Sequence, residues 1–388
     1  MTQTAEHHYQ ISQISQKTGF GLLGLAAITV LCLILLDSGI AGAGLFIVGG
    51  ALGAMFFGVS FGFASGWRNF ITSGDGMSLA GQFVLIGLCA LLFIPAASLG
   101  FDVARTIAPI SVSLLIGAFM FGIGMQLANG CGSGVLFSFG GGSQRMVFAL
   151  PAFIVGSVMG AWILPDMLRW GSVDPVIIAD GWNIWAQLGL TLLLVIAAIA
   201  FFWQAGRRAG GHLSRRMLTA CIVIALLCWG AFLLAGHPWG VTFGFTLWGG
   251  KIAQALGVPI AQTEFWSWAG PARALSHSVL ADASSVMNIG MLIGASGWAI
   301  YTTRFGQAGW PPAGQVMAAI IGGLLMGVGA RLGFGCNIGA FLGGIASGSL
   351  HGWVWFICAF AGSYIGIWLR PYFGFEQAGQ RLSGKAQA

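Results

Sequence analysis

The sequence predicts an all-α polytopic membrane protein: about ten transmembrane helices in two inverted repeats, each with a re-entrant loop that carries one cysteine. Three observations predict this. Of 388 residues, 57% are hydrophobic and only 7% charged, against a charged share of roughly 25% in soluble domains. The apolar residues fall into runs close to the ~20 that span a bilayer as a helix. A motif built around Gly-Cys occurs once in each half of the chain. No polar stretch is long enough to form a soluble domain, and sixty-four glycines fit helices that pack closely or break within the bilayer.

The elements follow in order. Residues 1–18 form a polar tail without a basic leader region, so the first apolar run is expected to be retained as a helix. The first repeat, 19–183, holds candidate spans at Phe20–Leu36, Ala41–Ala64, Leu79–Ser98, Ile110–Ala128 and Met146–Leu164. The second, 184–370, holds Trp185–Gln204, Leu218–Gly236, Ala283–Tyr301, Gln315–Leu332 and Leu350–Leu369, and a tail of 371–388 follows. Leu247–Ser278, with Trp248, Trp266 and Trp268, reads either as an eleventh span or as an interfacial or re-entrant piece. Trp170, Trp182, Trp185 and Trp310 fall at span ends, as an aromatic belt requires. The histidines, His351 among them, read as surface or interface residues.

The halves repeat. Gly122-x-Gly124-x-x-Leu127-x-x-Gly130-Cys131-x-x-Gly134 matches Gly327-x-Gly329-x-x-Leu332-x-x-Gly335-Cys336-x-x-Gly339, 205 residues later. After one inserted residue the match continues from Gly156-Ser157, Gly160 and Trp162 to Gly362-Ser363, Gly366 and Trp368. Earlier, Gly58–Phe63 matches Gly240–Phe245. Five spans per half is odd, so the second half enters the membrane inverted, an architecture common among secondary transporters. Arg207, Arg208, Arg215 and Arg216 in the link between spans six and seven place that link, and with it both termini, in the cytoplasm. Lys17, Arg68, Arg145, Arg304, Arg370, Arg381 and Lys385 then fall on the same side.

Seven cysteines are present, with no CxxC and no Cys/His cluster, so neither a metal site nor a disulfide framework is expected. Cys32, Cys89, Cys221, Cys228 and Cys358 lie inside apolar runs and read as small packing residues. Cys131 and Cys336 differ, because each sits where a helix breaks. Irregular backbone at membrane depth survives only within protein or beside water. A short helix starting near each cysteine would aim free N–H groups and the positive end of its dipole at the centre. Glycines allow close approach of a ligand. Such a site suits a small anion. Asn129, Gly130, Cys131, Gly132, Ser133 and Gly134 form one half of it, and Gly335, Cys336, Asn337 and Gly339 the other. No neighbouring base accompanies either thiol, so no catalytic residue is assigned. Soft Cu(I) is the metal that distant thiols would favour, but no Met-x-x-Met supports it. Arg68, Arg145, Lys251 and Arg331 accompany the repeats and are candidates for attracting anions, with Lys251 and Arg331 expected at the outer entrance. Orientation anchoring is the competing explanation for Arg68 and Arg145.

At Asn129–Gly134, Phe334–Gly344 and Phe61–Asn69 the chain resembles the YeeE/YedE family of inner-membrane sulfur transport proteins, from about Gly42 to Leu369. The resemblance implies import of thiosulfate, or a related sulfur or selenium compound, through an hourglass-shaped inverted repeat of the bacterial inner membrane. It implies cysteines that pass the anion on by weak S–H hydrogen bonds, without covalent chemistry or cofactor, and a TusA-like sulfur carrier protein as cytoplasmic partner. One departure stands out: where thiosulfate-importing members carry a further cysteine, this chain has Gly62. A membrane sulfurtransferase or redox protein using the thiols covalently is the rival from another class. No GxxxxGK[ST] loop is present for ATP.

Overall fold

The computed structural model describes residues 2–97 and 99–375, with side chains from residue 17 onward. The tail from 376 with Arg381 and Lys385, the side chains of His7 and His8, and Ser98 at the end of the expected third span lie outside the described residues.

Among the described residues, nine apolar helical runs are long enough to cross a membrane. The first contains a reversal. Helix α1 (Thr2–Val59) has non-helical backbone at Gly39, with φ 64° and ψ −157°, a conformation that a side chain would strain. Gly19 faces Ile300 and Gly58 faces Trp298, whereas Ser38 donates from its hydroxyl to the Leu280 carbonyl at 2.5 Å. Both flanks of α1 therefore lie at one end of the helix Ala283–Tyr301 and its middle lies at the other, so the chain doubles back at Gly39. The run supplies two crossings, and the total among the described residues is ten, as the sequence predicts.

The first half continues through α2 (Phe63–Ser73), α3 (Met77–Ala96), α4 (Val112–Ala128), α5 (Gly132–Gly140) and α6 (Met146–Arg169). The second comprises α7 (Ile184–Arg208), α8 (Arg215–Ala235), α9 (Thr242–Ala255), α10 (Glu264–Ser267), α11 (Ala269–Ser276), α12 (Ala283–Tyr301), α13 (Ala313–Leu332), α14 (Gly343–Ala346) and α15 (Leu350–Leu369). Local chemistry sets several starts: Ser111, Asn183, Ser214 and Asp282 each accept a first-turn backbone N–H in their side chains. Among the described residues Ile110–Ser111 pairs with Ser172–Val173, and an isolated bridge joins Ile177 and Ser349. The ambiguous stretch Leu247–Ser278 does not form an eleventh span. Pro259 and Pro271 divide it, and its short helices bury Phe265 and Trp266 against the end of α6.

Packing repeats between the halves. A Cβ added at Gly122 of α4 would strike the Ala359 carbonyl of α15, and one at Gly327 of α13 would strike the Phe153 carbonyl of α6. Gly362 meets the Phe119 carbonyl in the same way that Gly156 meets that of Leu324. Each pair is the other shifted by the sequence offset, so one glycine-mediated interface is built twice. Small residues drive this close approach because lipid offers helices no hydrophobic reason to associate. The equivalent helices α4 and α13 touch each other antiparallel, Gly117 against Gly333 and Gly124 against Gly322. Corresponding elements therefore run in opposite directions.

Candidate functional site

Each cysteine begins a short helix. Helix α4 ends at Asn129, whose φ of 63° turns the chain and whose N–H donates to the Met125 carbonyl. Gly130 follows, and Cys131 is the extended residue that caps α5. The Gly134 N–H points at the Cys131 sulfur, 3.4 Å away, and the Ser133 hydroxyl lies 3.4 Å from it. In the second half Phe334 (φ 58°) and Gly335 (φ 150°) make the turn, and Cys336 caps a π-helical turn, Asn337–Leu342, that runs into α14. The Ile338 and Gly339 amides face its sulfur. The π turn absorbs the extra residue that the repeat alignment shows after Gly339.

The two loops meet. A Cβ on Gly132 would sit 3.2 Å from the Cys336 sulfur and 3.6 Å from the Thr242 methyl. The Phe63 amide faces the Cys131 sulfur, and Gly339 adjoins Gly240. Four helix starts, those of α2, α5, α9 and the Asn337 turn, therefore surround the two thiols. Their first N–H groups lack intrahelical partners and carry partial positive charge. The side-chain amide of Asn337 is wholly buried, and neither its nitrogen nor its oxygen has a partner. Within this wall Cys131 and Cys336 are only 2% and 0% exposed.

Two large cavities approach the wall from opposite ends of α13. One, about 1130 Å³, is lined by Gln315 at the start of that helix and by Asn129, Arg68, Arg145 and Arg370. The other, about 720 Å³, is lined by Phe334 just past its end and by Gly240, Gly339, His237, Arg273, His277 and Asp282. Asn129 and Phe334 occupy matching positions in the two repeats, and each borders a cavity. Burial pushes the Asp282 carboxyl above its ordinary range, against the opposing effects of Ser285 and His237.

The basic residues expected near the path separate. Arg68 and Arg145 line the larger cavity together with Arg370. Asn129 holds two of them: its side-chain oxygen accepts from Arg68 at 2.8 Å and from Arg370 at 3.4 Å. Lys251 does not face the smaller cavity; its ammonium donates to the Leu275 and His277 carbonyls at the end of α11. Arg331 is buried beside the Phe243 and Phe265 rings, with guanidinium-to-centroid distances of 5.9 and 5.5 Å. Arg273 and His277, which the sequence did not single out, take the cavity-facing places. His351 is fully buried rather than at a surface, with Nδ1 2.7 Å from the Ser349 hydroxyl, because the start of α15 is covered by Gly344. Cys89, Cys221 and Cys228 are buried, Cys32 is exposed and Cys358 half-buried. Gly62 caps the start of α2, and a Cβ there would meet the Ser65 hydroxyl at 2.5 Å.

The pattern of the family described as "Sulphur transport" matches residues 58–365. Over 168 residues the chain is 34% identical to the probable transporter YedE of Escherichia coli K12, covering 43% of this chain and 41% of that protein. It thus spans well under half of that relative's length in the match. It is also 28% identical over 272 residues to the thiosulfate transporter TsuA of Spirochaeta thermophila, covering 66% of this chain and 77% of that one. With nine apolar helical runs long enough to cross a membrane among the described residues, paired cysteine loops and a family match across most of its length, the chain is a multi-pass membrane protein that belongs to the YeeE/YedE sulphur transport family.

Proposed function

We propose that the protein imports a small sulfur-containing anion, thiosulfate foremost, across the bacterial inner membrane, with both termini in the cytoplasm. The observation that carries this reading is the wall between the two cavities, where both thiols and four helix starts meet. In this reading residues 19–183 and 184–370 are the two repeats, and the short helices after Cys131 and Cys336 re-enter the membrane from opposite faces. The smaller cavity receives the anion, and the larger one, with its arginines, faces the cytoplasm.

The physical case rests on desolvation. A dianion leaving water needs hydrogen-bond donors that carry no opposing charge of their own. Backbone N–H groups at helix starts supply them without binding the anion as tightly as a fixed cation would. The unpaired Asn337 amide adds another donor beside Cys336. Each thiol is a weak S–H donor with a polarizable sulfur, suited to a sulfur anion passing from Cys336 across Gly132 to Cys131. Passage of this kind forms no covalent intermediate and needs no cofactor, so the protein acts as a transporter and not as an enzyme. Selenium compounds and other sulfur oxyanions share the required chemistry and are the competing substrates. A TusA-like sulfur carrier at the cytoplasmic cavity is the proposed recipient.

The test is uptake by proteoliposomes holding the purified protein. They are expected to accumulate radiolabelled thiosulfate faster than protein-free vesicles, with excess unlabelled thiosulfate competing and chloride not. Equal accumulation in both kinds of vesicle refutes the proposal.

A further inference from the structure

We infer that Arg68, Arg145 and Arg370 form a second anion-binding site, separate from the thiol wall, that takes a divalent oxyanion of the sulfate and thiosulfate class. Under the transport proposal it is the station beyond Cys131, but the site itself does not depend on that reading.

Three guanidinium groups share one cavity of about 1130 Å³. Neutral groups hold them there. The Asn129 oxygen joins Arg68 and Arg370, Arg370 also donates to the Gln126 carbonyl at 2.5 Å, and Arg145 donates to Gln315. The buried Phe375 ring lies under both Arg370 and Arg145, at 4.0 and 5.0 Å from its centroid. The cations are close enough to repel one another, Arg370 with both others and Arg68 with Arg145. Among the described residues no carboxylate pairs with them: the ion pairs belong to Arg169, in contact with Asp166 and Glu264. Among the described residues each guanidinium uses a single nitrogen in these hydrogen bonds, and Arg145 Nε is buried without an acceptor.

Partly buried like charges held together without a counter-ion are costly. Arginines serving only as orientation anchors would extend to solvent separately. Here they converge on open volume, and guanidinium forks match oxyanions in bidentate geometry. A dianion in the cavity satisfies the free donors and removes the repulsion together. The same chemistry could recognise the phosphate of an anionic lipid, so the test separates the two.

Thermal unfolding of the full-length protein in zwitterionic detergent is followed while sodium thiosulfate or sulfate is titrated against sodium chloride at equal ionic strength. The dianions are expected to raise the midpoint saturably in wild type, and the Cys131→Ser/Cys336→Ser double variant is expected to keep a saturable rise. Arg68→Gln and Arg370→Gln are expected to weaken the apparent affinity at least ~10-fold, and Arg370→Lys to recover part of it. Monodispersity on gel filtration checks that each variant is folded. The inference fails if chloride matches the dianions, or if the glutamine variants respond like wild type. It also fails if the double cysteine variant loses the response, or if phosphatidylglycerol stabilises while the dianions do not. Binding that appears only in Glu376→Gln, the neighbour of Phe375 in sequence, equally overturns it, because the arginines would then already be paired. Uptake lost with this response intact would count against transport alone; the response lost with uptake intact would count against this site alone.

Discussion

Adding one methyl group at Gly132 probes the wall directly. In Gly132→Ala the new Cβ lies 3.2 Å from the Cys336 sulfur, 3.3 Å from its Cβ and 3.6 Å from the Thr242 methyl. Ordinary contacts are about 3.5–4.0 Å, so the neighbours must yield by a few tenths of an ångström. Overpacking of this size costs about 1–3 kcal/mol. Glycine's entropic penalty in a helix, roughly 0.5–1 kcal/mol, is relieved in return. The net loss of stability is therefore about 0–2.5 kcal/mol, and the protein should be recovered folded. Transport is affected more, because the methyl fills the space between the two thiols and shields the N–H groups at the start of α5. Uptake is expected to fall at least ~10-fold, equivalent to about 1.4 kcal/mol on the barrier. Gly189→Ala on α7 is the control: its Cβ would meet nothing within 4 Å, and uptake should change less than about 3-fold. Initial rates in proteoliposomes at matched protein density decide the matter. Wild-type rates in Gly132→Ala would refute the reasoning, since they would mean that nothing passes between the loops.

Other substitutions test separate parts of the account. Asn337→Leu replaces a buried amide that has no protein partner, so stability should hold or rise while uptake falls ~10-fold or more; thermal unfolding and uptake measured together check this. Asp282 lines the smaller cavity with a carboxyl that burial makes easier to protonate. Its charge is lost as pH falls, at a higher pH than for an ordinary carboxyl, which removes repulsion from an incoming anion, so the uptake KM should fall as pH is lowered from neutral. Asp282→Asn keeps an acceptor for the Ser285 N–H and should show a lower KM at neutral pH and a shallower pH dependence in the same assay. Gly122→Val drives a branched side chain into the Ala359 carbonyl and should abolish recovery of monodisperse protein on gel filtration. Gly24→Ala, with open space around it, should not.

Much of this architecture is legible in the sequence, for physical reasons. Lipid imposes long apolar runs, so the crossings can be read, including the break between Leu36 and Ala41 that the structure places at Gly39. Backbone contact between helices demands glycine, so the interface of α4 with α15 leaves the same trace in the sequence as that of α13 with α6. The inserted residue after Gly339 is visible as a shift in offset and appears as the π turn. The positions of Cys131 and Cys336 at helix starts follow from the broken runs around them. What the sequence leaves open depends on distant contacts. Arg370 looks like an anchor beyond the last span until Asn129 and Phe375 are seen to hold it in the cavity. Lys251 looks like a free cation until the carbonyls at the end of α11 reach it. The starts of α2 and α9 belong to the Gly58–Phe63 and Gly240–Phe245 repeat, but only the fold brings Phe63 and Thr242 beside the thiols.

The central claim is that both thiols line one anion path. Its most direct test is thiosulfate uptake by Cys131→Ala, Cys336→Ala and the double variant, beside a control in which Cys32, Cys89, Cys221, Cys228 and Cys358 are all alanine. The account predicts that each single variant loses at least ~10-fold in initial rate and that the double variant is no worse than the poorer single. The five-alanine control should retain most of its rate. Wild-type uptake in both single variants would contradict it.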